Sequence, residues 1–417
     1  MRVLTTNSSL RGRSGTEIVT IDLALGLRRR GHEVAVFAPL LGRSAEILRD
    51  QGIIIADRPE DLPWKPDVVH GHHNHVLAAA LAYFPDVPAL FVCHSSIYWF
   101  DGPLLLPRVR RFCSVDEACR DRLIAEVGCE KEAIELLPNA VDLDLFSPRP
   151  PLPARPRRAL LLAKNTAHIA AVRAAAQEAG LELDEIGSPF GREVDDLHAR
   201  LRNYDVAFAT ARMALEALAV GCAVVVVDGR GLAGLVTSSL VDEWRRNNFG
   251  LRLLTREPTK EAIVTEIGRY DTHDAALVSG RIREFASLST YLDRVEAIYR
   301  DVVATPQVLA DAPADLRALG RFIAQWLRRL GEGMIPENFD NLLAANKFAN
   351  EHRAVLEENA TLRAQLQCLH TRVDALNRET GMLQDETVML RDIIRSPLKL
   401  MRLYASVGRQ RLFSGDR

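Results

Sequence analysis

The chain has 417 residues, of which 47% are hydrophobic and 26% are charged, a balance typical of globular rather than disordered proteins. This length exceeds what one core usually organises and suits two α/β domains with an appendage. The formal net charge of −2 gives the chain no basic character overall, so nucleic acid is not an expected partner.

We expect no targeting or membrane-spanning segment. The N-terminal residues run directly into a strand-like segment rather than a signal peptide, and no window of about 18 residues is apolar throughout. The expected location is therefore the cytoplasm. The cysteines form no C-x-x-C pair, which favours buried reduced thiols over the alternative of a zinc site. They are Cys93, Cys113, Cys119, Cys129, Cys222 and Cys368.

The first 150 residues alternate short apolar strands with helices, which predicts a first domain over residues 1–150 built on a parallel sheet. Strands are predicted at residues 3–6, 34–38, 53–56, 67–70, 89–93, 111–115 and 134–138, and a helix at about 76–84. A glycine-rich and arginine-rich loop follows the first strand. Ser14 and Glu17 then have capping-box spacing, and the helix that they open ends at Gly31.

A proline-rich segment at residues 148–156 interrupts this alternation, and its five prolines indicate a stiff, extended linker. A second α/β series follows and predicts a second domain over residues 151–303. Its strands are predicted at residues 159–163, 182–186, 205–209 and 223–227, and its helices at 167–179 and 211–220. Two such domains form a cleft between the carboxyl ends of two sheets, where open α/β sheets bind ligands.

The rest of the chain is predicted to be helical, with a linker at residues 304–344 and a coiled coil at 345–395. Apolar residues recur at every seventh position, which is typical of a coiled-coil seam. They are Phe348, Val355, Leu362, Leu369, Leu376, Leu383 and Leu390. Asn359 at the other seam position favours a two-stranded parallel pair, so we expect a homodimer. The alternative is a single helix that packs on the two α/β domains. A core helix usually has a wider apolar face than this seven-residue repeat provides, so the alternative fits less well.

Residues 396–417 form a basic tail. From residue 395 to 413 its lysine and arginines lie among leucines, and no acidic residue occurs before Asp416. A basic amphipathic segment of this kind lies on anionic membrane surfaces. We therefore expect residues 396–413 to contact the inner face of a membrane, with a solvated, frayed tail as the alternative.

Three segments contain residues suited to binding a charged ligand. The loop around Gly12 and Gly15 offers backbone N–H groups at a helix start, beside arginines, which suit a phosphate or sugar oxygen. The turn at residues 138–142 should lie at the lip of the cleft, although a plain strand-end turn is the alternative. Glu216 lies on an otherwise small and apolar helix, where a buried carboxylate needs a partner. Two ribose hydroxyls would supply one, and an ion pair with a cation is the alternative.

These segments resemble the large retaining group of GT-B glycosyltransferases, the group 1 transferases of family four, over roughly residues 1–303. The most specific matches are Pro-Asn-Ala-Val-Asp at residues 138–142, similar to the family's PNGVD, and Leu-Glu-Ala-Leu-Ala-Val-Gly at 215–221, similar to LEAMAxG. Weaker matches lie at residues 67–72 (DVVHxH), 91–94 (a strand ending in histidine) and 113–116 (the VS strand). The resemblance implies two Rossmann-like domains facing across a cleft, followed here by an all-helical C-terminal coiled coil.

On the donor side, the resemblance implies roles for five residues. Glu216 would bind the donor ribose, and His94 would lie at the donor sugar. Lys164 would stabilise the charge that grows on the departing diphosphate, and Gly187 would line the nucleotide side. The Gly15 loop would face the diphosphate or the acceptor. His94, Lys164 and Glu216 are thus the expected catalytic residues.

On the acceptor side, Asn139, His70 and His72 are expected to border the cleft. The alternative role for the four histidines at residues 70–75 is metal binding, but no clustered carboxylate accompanies them. We therefore expect no metal and no cofactor besides the donor substrate. A packed histidine without a ligand contact is the alternative for His94.

The sequence departs from the family pattern in the second domain, which is also short. The family has a pair of glutamates eight residues apart, and Phe208 stands where the first would be. Its second basic residue is missing, since residues 169–170 are apolar. Arg212, one helical turn before Glu216, is expected to take over a phosphate contact. A solvated surface charge is the alternative for both Arg212 and Lys164.

The function implied by the resemblance is transfer of a hexose, with retention, from a nucleoside-diphosphate sugar to a glycan or lipid-linked acceptor, in surface polysaccharide assembly. A second hypothesis is a non-catalytic subunit of the same fold that dimerises through its coiled coil and scaffolds or regulates other enzymes. Phe208 favours this second hypothesis. An epimerase or phosphorylase of this fold is a third, although no segment indicates an inorganic-phosphate pocket or a cofactor lysine. The sequence contains no Gly-x-Ser-x-Gly motif, so a hydrolase triad lacks its strongest local sign.

Overall fold

The computed structural model describes residues 1–192, 194–305 and 312–331, together with isolated residues between 365 and 402. The chain divides into two compact units, Met1–Asn346 and Lys347–Arg417. The first unit contains two sheets, each with its own helices. We call the part around the first sheet the first lobe and the part around the second sheet the second lobe.

The first lobe begins with seven strands that alternate with helices. The strands are β1 (Arg2–Thr6), β2 (Glu33–Phe37), β3 (Ile54–Ala56), β4 (Val68–His72), β5 (Ala89–Cys93), β6 (Val109–Ser114) and β7 (Ile134–Leu136), and the helices are α1 (Gly15–Arg29), α2 (Arg43–Asp50), α3 (Asn74–Tyr83) and α4 (Glu117–Val127). All neighbouring strands are parallel, in the order β3-β2-β1-β4-β5-β6-β7. The predicted capping box is confirmed, because Ser14 Oγ accepts from Glu17 N while Glu17 accepts from Ser14 N.

The second lobe has a smaller sheet of five strands among the described residues. In chain order it consists of β8 (Arg158–Leu162), α5 (Ile169–Glu178), β9 (Glu182–Ile186), α6 (Leu197–Arg200), β10 (Val206–Ala209), α7 (Ala211–Val220), β11 (Ala223–Asp228), β12 (Gly231–Leu235), α8 (Val241–Arg246), α9 (Lys260–Ile267) and α10 (Thr272–Phe285). The strand order is β12-β11-β10-β8-β9, and only β12 runs antiparallel. Alternate strand residues enter two separate cores, so both faces of the sheet are buried.

After the second lobe the chain returns to the first. Helix α11 (Leu288–Ala304) packs against α1 and strands β4 to β6, and α12 (Ala312–Gly331) contacts α3. The second domain predicted from the sequence, residues 151–303, includes residues 288–303 because they follow directly along the chain. The apolar stripe of α11 instead covers the first sheet, because its buried residues recur at helical spacing on one face. They are Leu288, Tyr291, Leu292, Val295, Tyr299 and Val302.

The predicted coiled coil and tail lie largely outside the described residues. Helix α12 falls within the segment predicted as a helical linker. Of the heptad residues, Leu369 and Leu390 are described, and both are helical and exposed. The coiled coil at 345–395, the homodimer and the membrane contact of the tail stay predictions. No helix in the described part of the chain is long and apolar enough to cross a bilayer.

Candidate active site

A cavity of about 490 Å³ lies between the two sheets of the first unit. The loop after β1 borders it at residues 12–15, and the second lobe contributes Lys164 after β8, Gly187 after β9 and helix α7 after β10. In each sheet the strand order reverses beside one of these strands, between β1 and β4 and between β10 and β8. Open α/β sheets bind ligands at such points, so the position of the cavity favours a binding site.

The cavity wall combines charged and apolar side chains. The charged ones are Arg13, Glu17, Asp22, Lys164, Asp195, Arg212 and Glu216, and the apolar ones include Leu145, Phe146, Ile186, Val194, Leu197 and Met213. Pockets for small molecules typically have a mainly apolar lining with a few convergent polar groups, and volumes of roughly 300–1,000 Å³. The cavity therefore has the size and lining of a site for a molecule with both charged and apolar parts.

Glu216 is bound to Arg212 within this wall. Its side chain is buried, and Glu216 Oε1 accepts from Arg212 Nε at 2.8 Å. Burial raises the pKa of Glu216, while the neighbouring guanidinium opposes the rise. The ion-pair alternative is thus realised, but at the cavity rather than away from it. A carboxylate has about four lone-pair sites, so Glu216 can also accept hydroxyl groups of a ligand.

Arg212 joins the two lobes through a second carboxylate. Its guanidinium also bonds to Asp22 on α1, so one cation contacts one acid from each lobe. Burial alone would lower the pKa of Arg212, but Asp22 and Glu216 attract the cation and raise it above its ordinary value. The alternative of a solvated surface charge does not apply to Arg212, since only 5% of the residue is exposed, and its phosphate contact stays a prediction.

Lys164 supplies the second cation of the wall. The residue is exposed where it borders the cavity, and a partial loss of solvent around its amine lowers its pKa. Nearby Arg212 lowers the pKa further, whereas Glu216 and Asp228 raise it. A lysine in such a place can meet an anion without first breaking a strong ion pair, because no pair with Lys164 occurs among the described residues.

The glycine-rich loop is shaped mainly by Glu17. The Glu17 carboxylate accepts from the backbone N–H of Gly12 at 3.0 Å and of Ser14 at 2.6 Å, so these two donors are already used within the loop. At Gly15 an added Cβ would meet no atom within 4 Å. The loop therefore leaves open space beside the cavity at Gly15, and its contact with the diphosphate or the acceptor stays a prediction.

Gly187 lines the cavity because two strand ends meet closely there. Its φ is +135°, and a Cβ at this position would lie 1.9 Å from the carbonyl oxygen of Ala163. Only glycine accepts this conformation and this approach. The backbone contact between the ends of β8 and β9 thus explains the glycine without any ligand.

Phe208, at the position of the family's first glutamate, is a core residue of the second sheet and does not border the cavity. It is fully buried on the face of the second sheet that packs against α5 and α9, whereas α7 covers the other face. A single residue, Thr210, connects β10 to α7, so a position eight residues before Glu216 falls inside the strand. The first glutamate of the family pair therefore has no counterpart at Phe208.

The predicted histidines form a separate group in the first lobe. His72 Nδ1 lies 2.6 Å from His94 Nε2, and His70 Nδ1 lies 2.8 Å from the Tyr299 hydroxyl. Burial lowers the pKa of His70 to about 3 and that of His94 to about 4, so both rings are neutral near pH 7. None of the three borders the described lining of the 490 Å³ cavity. No cluster of three metal-ligating side chains occurs among the described residues.

Asn139 lies at the junction of the lobes. Its backbone carbonyl accepts from Arg245 of α8, and its side borders a small cavity of about 10 Å³ together with Asp22 and Arg212. The large cavity lies on the other side of the Asp22–Arg212 pair, which borders both. The turn at residues 138–142 therefore contacts the second lobe, but Asn139 is not in the described wall of the large cavity.

Asp22 is the site residue that the sequence interpretation missed. It stands on α1 between Ile18 and Leu25 at spacings of four and three residues, so an acid interrupts an apolar stripe at helical spacing. An acidic residue within an apolar stripe indicates that it pairs with a polar or cationic group of another element. The partner itself, Arg212, is 190 residues away and cannot be identified from local spacing.

Comparisons with known proteins support the fold. Residues 13–145 match the model of the family described as Glycosyltransferase Family 4. No match is found among curated protein sequences. Anabaena Alr3699/HepE, solved in complex with UDP and glucose, is 14% identical over 72% of this chain and 99% of its own, with a TM-score of 0.52. A glycosyltransferase from Rickettsia africae ESF-5 is 14% identical over 73% of this chain and 99% of its own, with a TM-score of 0.53. The predicted two-domain GT-B fold is therefore confirmed.

Proposed function

We propose that the protein is a retaining glycosyltransferase that moves a hexose from a nucleoside diphosphate to a glycan or lipid-linked acceptor, in surface polysaccharide assembly. Two comparisons support the general class. The similarity to Glycosyltransferase Family 4 covers residues 13–145, and a protein of the same fold was solved with UDP and glucose. Retention, the hexose, the acceptor class and the pathway rest on the resemblance of the motifs at residues 138–142 and 215–221 to those of the family-four transferases.

One observation carries the proposal. Glu216 and Lys164 lie in the wall of one interlobe cavity, with Arg212 between the lobes beside them. A carboxylate that can accept two hydroxyls suits a ribose, and a nearby cation suits a diphosphate. The apolar part of the wall, with Phe146 and Met213, suits the face of a base. The wall thus offers each part of a nucleotide a complementary partner.

The proposed transfer takes place at the sugar carbon that carries the diphosphate. The acceptor hydroxyl oxygen forms a bond to this carbon on the face from which the diphosphate leaves, and the bond from carbon to phosphate oxygen breaks. The hydroxyl proton passes to the departing phosphate oxygen, so no separate base is required. Lys164 stabilises the negative charge that develops on the leaving group. Glu216 holds the donor through its ribose, and no metal is needed.

The test is a panel of nucleoside-diphosphate sugars assayed for transfer and slow hydrolysis, with nucleotide affinity measured by calorimetry. Glu216→Gln should weaken nucleotide binding by roughly tenfold to a hundredfold, since a charge-assisted hydrogen bond contributes about 1.5–3 kcal/mol. Glu266→Gln is the matched control, because Glu266 is also buried and bound to arginine, on α9 away from the cavity. The proposal fails if wild type binds no nucleotide, or if Glu216→Gln and Glu266→Gln bind nucleotide with equal affinity.

A non-catalytic scaffold is the second candidate, and two observations favour it. Arg212 already occupies one oxygen of Glu216, and Phe208 leaves the family's first glutamate without a counterpart. A scaffold would bind nucleotide without turnover or would not bind it at all. Wild-type turnover of any donor in the panel, lost in Glu216→Gln, would exclude this candidate. Dimerisation through residues 345–395 belongs to both candidates and is tested by the mass in solution.

A further inference from the structure

Helix α12 exposes an apolar stripe to solvent. Leu316, Ile323, Leu327 and Leu330 recur at spacings of seven, four and three residues, so they share one face of the helix. They are 68%, 45%, 57% and 39% exposed, respectively. A stripe of this kind on a described surface marks an interaction site more often than a scatter of single residues does.

The neighbouring face of α12 is fixed to the first lobe. Ala318 is buried there, and Leu319 and Phe322 pack against the first core. Asp315 accepts from Arg108 at 2.6 Å, and Arg108 also donates to the Phe84 carbonyl at 2.7 Å. The helix is therefore anchored to the end of α3, and its exposed stripe is held outward rather than turned inward.

The charge of α12 is strongly basic. Arg317, Arg321, Arg328 and Arg329 belong to the helix, whereas Asp315 is its one acidic residue and is buried against Arg108. On a helical projection Arg321 and Arg328 follow the exposed stripe on the side away from the core. Long arginine side chains beside an apolar face can reach outward to phosphate groups while their stems stay on the apolar surface.

We propose that the exposed face of α12 docks the first lobe on an anionic lipid bilayer. The leucines and the isoleucine enter the boundary between headgroups and acyl chains, and Arg321 and Arg328 bind the lipid phosphates. Tyr83 at the end of α3 is 50% exposed, and tyrosine suits this interfacial depth. A second copy of α12 is a poorer occupant, because pairing two such helices brings their arginines together.

The test uses the full chain and, in parallel, the same variants with residues 396–417 deleted, because the basic tail is itself expected to contact membranes. Both sets are mixed with vesicles of neutral phosphatidylcholine alone or with phosphatidylglycerol added, and the outcomes for α12 are judged in the set without the tail. Wild type should sediment with the anionic vesicles only, and less at 0.5 M salt, where screening is strong. The double variant Leu316→Gln with Leu327→Gln should reduce binding at least about tenfold, since each leucine loses apolar transfer energy. The pair Arg321→Gln with Arg328→Gln should reduce the preference for anionic vesicles by a similar factor.

Two controls separate docking from unfolding and from general surface effects. Leu277 on α10 is 51% exposed, and Leu277→Gln should bind vesicles as wild type does. The unfolding midpoint of each variant should match wild type, because the changed residues are exposed. Absence of wild-type binding to anionic vesicles would overturn the proposal. Undiminished vesicle binding of the double leucine variant would also overturn it. A change in the mass of that variant in solution, without a change in vesicle binding, would show that the stripe contacts a second copy of the chain instead.

Discussion

The Arg212 guanidinium contacts Asp22 and Glu216, acids that belong to different lobes and lie on helices far apart in the sequence. A buried ion pair contributes little beyond its desolvation cost, but removal of one partner leaves an uncompensated charge that costs about 3–5 kcal/mol. This asymmetry explains why Glu216→Gln, which keeps an acceptor oxygen for Arg212, is a cleaner test of ligand binding than Glu216→Ala. Single residues of the wall thus serve both the fold and the proposed site.

His70 gives a prediction on stability against pH. Its pKa is lowered to about 3 by burial, from an ordinary value of 6.5. Between these values the unfolded chain binds a proton that the folded chain does not, so the free energy of unfolding falls as pH drops from about 6.5 towards 3. The fall approaches about 1.4 kcal/mol per pH unit for each such histidine. His70→Gln should therefore lose less stability than wild type between pH 7 and pH 5 in urea unfolding.

The control for this experiment is His273→Gln. His273 is exposed on α10, so this variant shows whether the loss of a histidine outside the core changes the pH dependence of stability. If His70→Gln loses as much stability as wild type over the same interval, the ring of His70 does not resist protonation in the folded protein.

At the scale of elements, local pattern predicted much of the fold. The strand at residues 182–186 and the helix at 211–220 have the predicted bounds, because apolar alternation and helical spacing are local properties. The elements that were missed are α2, α4, α6, α8, α9, α10 and β12. Helix α2 is polar apart from its buried side, and β12 has two glycines among its five residues. The placement of α11 on the first sheet depends on contacts distant in sequence, which no local pattern contains.

The approach of β9 to β8 gives a prediction on Gly187. A Cβ at Gly187 would lie 1.9 Å from a backbone oxygen, and the φ is positive. Gly187→Ala should therefore lower the free energy of unfolding by about 3 kcal/mol or more, from strain and from displaced backbone. Chemical denaturation measures this loss.

Gly128 supplies the matched control for that substitution. Its φ is +74°, but an added Cβ would meet no atom within 4 Å. Gly128→Ala then has only the left-handed backbone cost of about 1–2 kcal/mol. Equal losses for the two variants would show that the close approach at Gly187 is unimportant.

At the scale of the whole molecule, ion pairs join the two lobes at the cavity. Asp195 of the second lobe accepts from Arg13 of the β1 loop at 2.6 Å and also bonds to Arg43 of α2. Arg13 and Asp195 both border the cavity. Entry of a ligand from this side must therefore separate partly exposed charges, which contribute only about 0–1 kcal/mol to stability.

Asp195→Asn tests this view of ligand entry. The substitution should leave the free energy of unfolding within about 1 kcal/mol of wild type and should speed both association and release of a nucleotide. Stopped-flow fluorescence measures the two rates. Asp242→Asn is the control, because Asp242 pairs with Arg281 at 3.0 Å within the second lobe. Rates for Asp195→Asn that equal those of the control would show that these pairs do not restrain entry.

Within residues 1–305, of which the structure describes all but residue 193, the chain crosses between the lobes twice, and the two crossings lie side by side. Val141 N donates to the Ala286 carbonyl at 2.9 Å, and Leu288 N donates to the Val141 carbonyl at 2.8 Å. Two adjacent connections that are bonded to each other favour a single hinge. We therefore expect the cavity to open by rotation of the lobes about an axis near Val141 and Ser287.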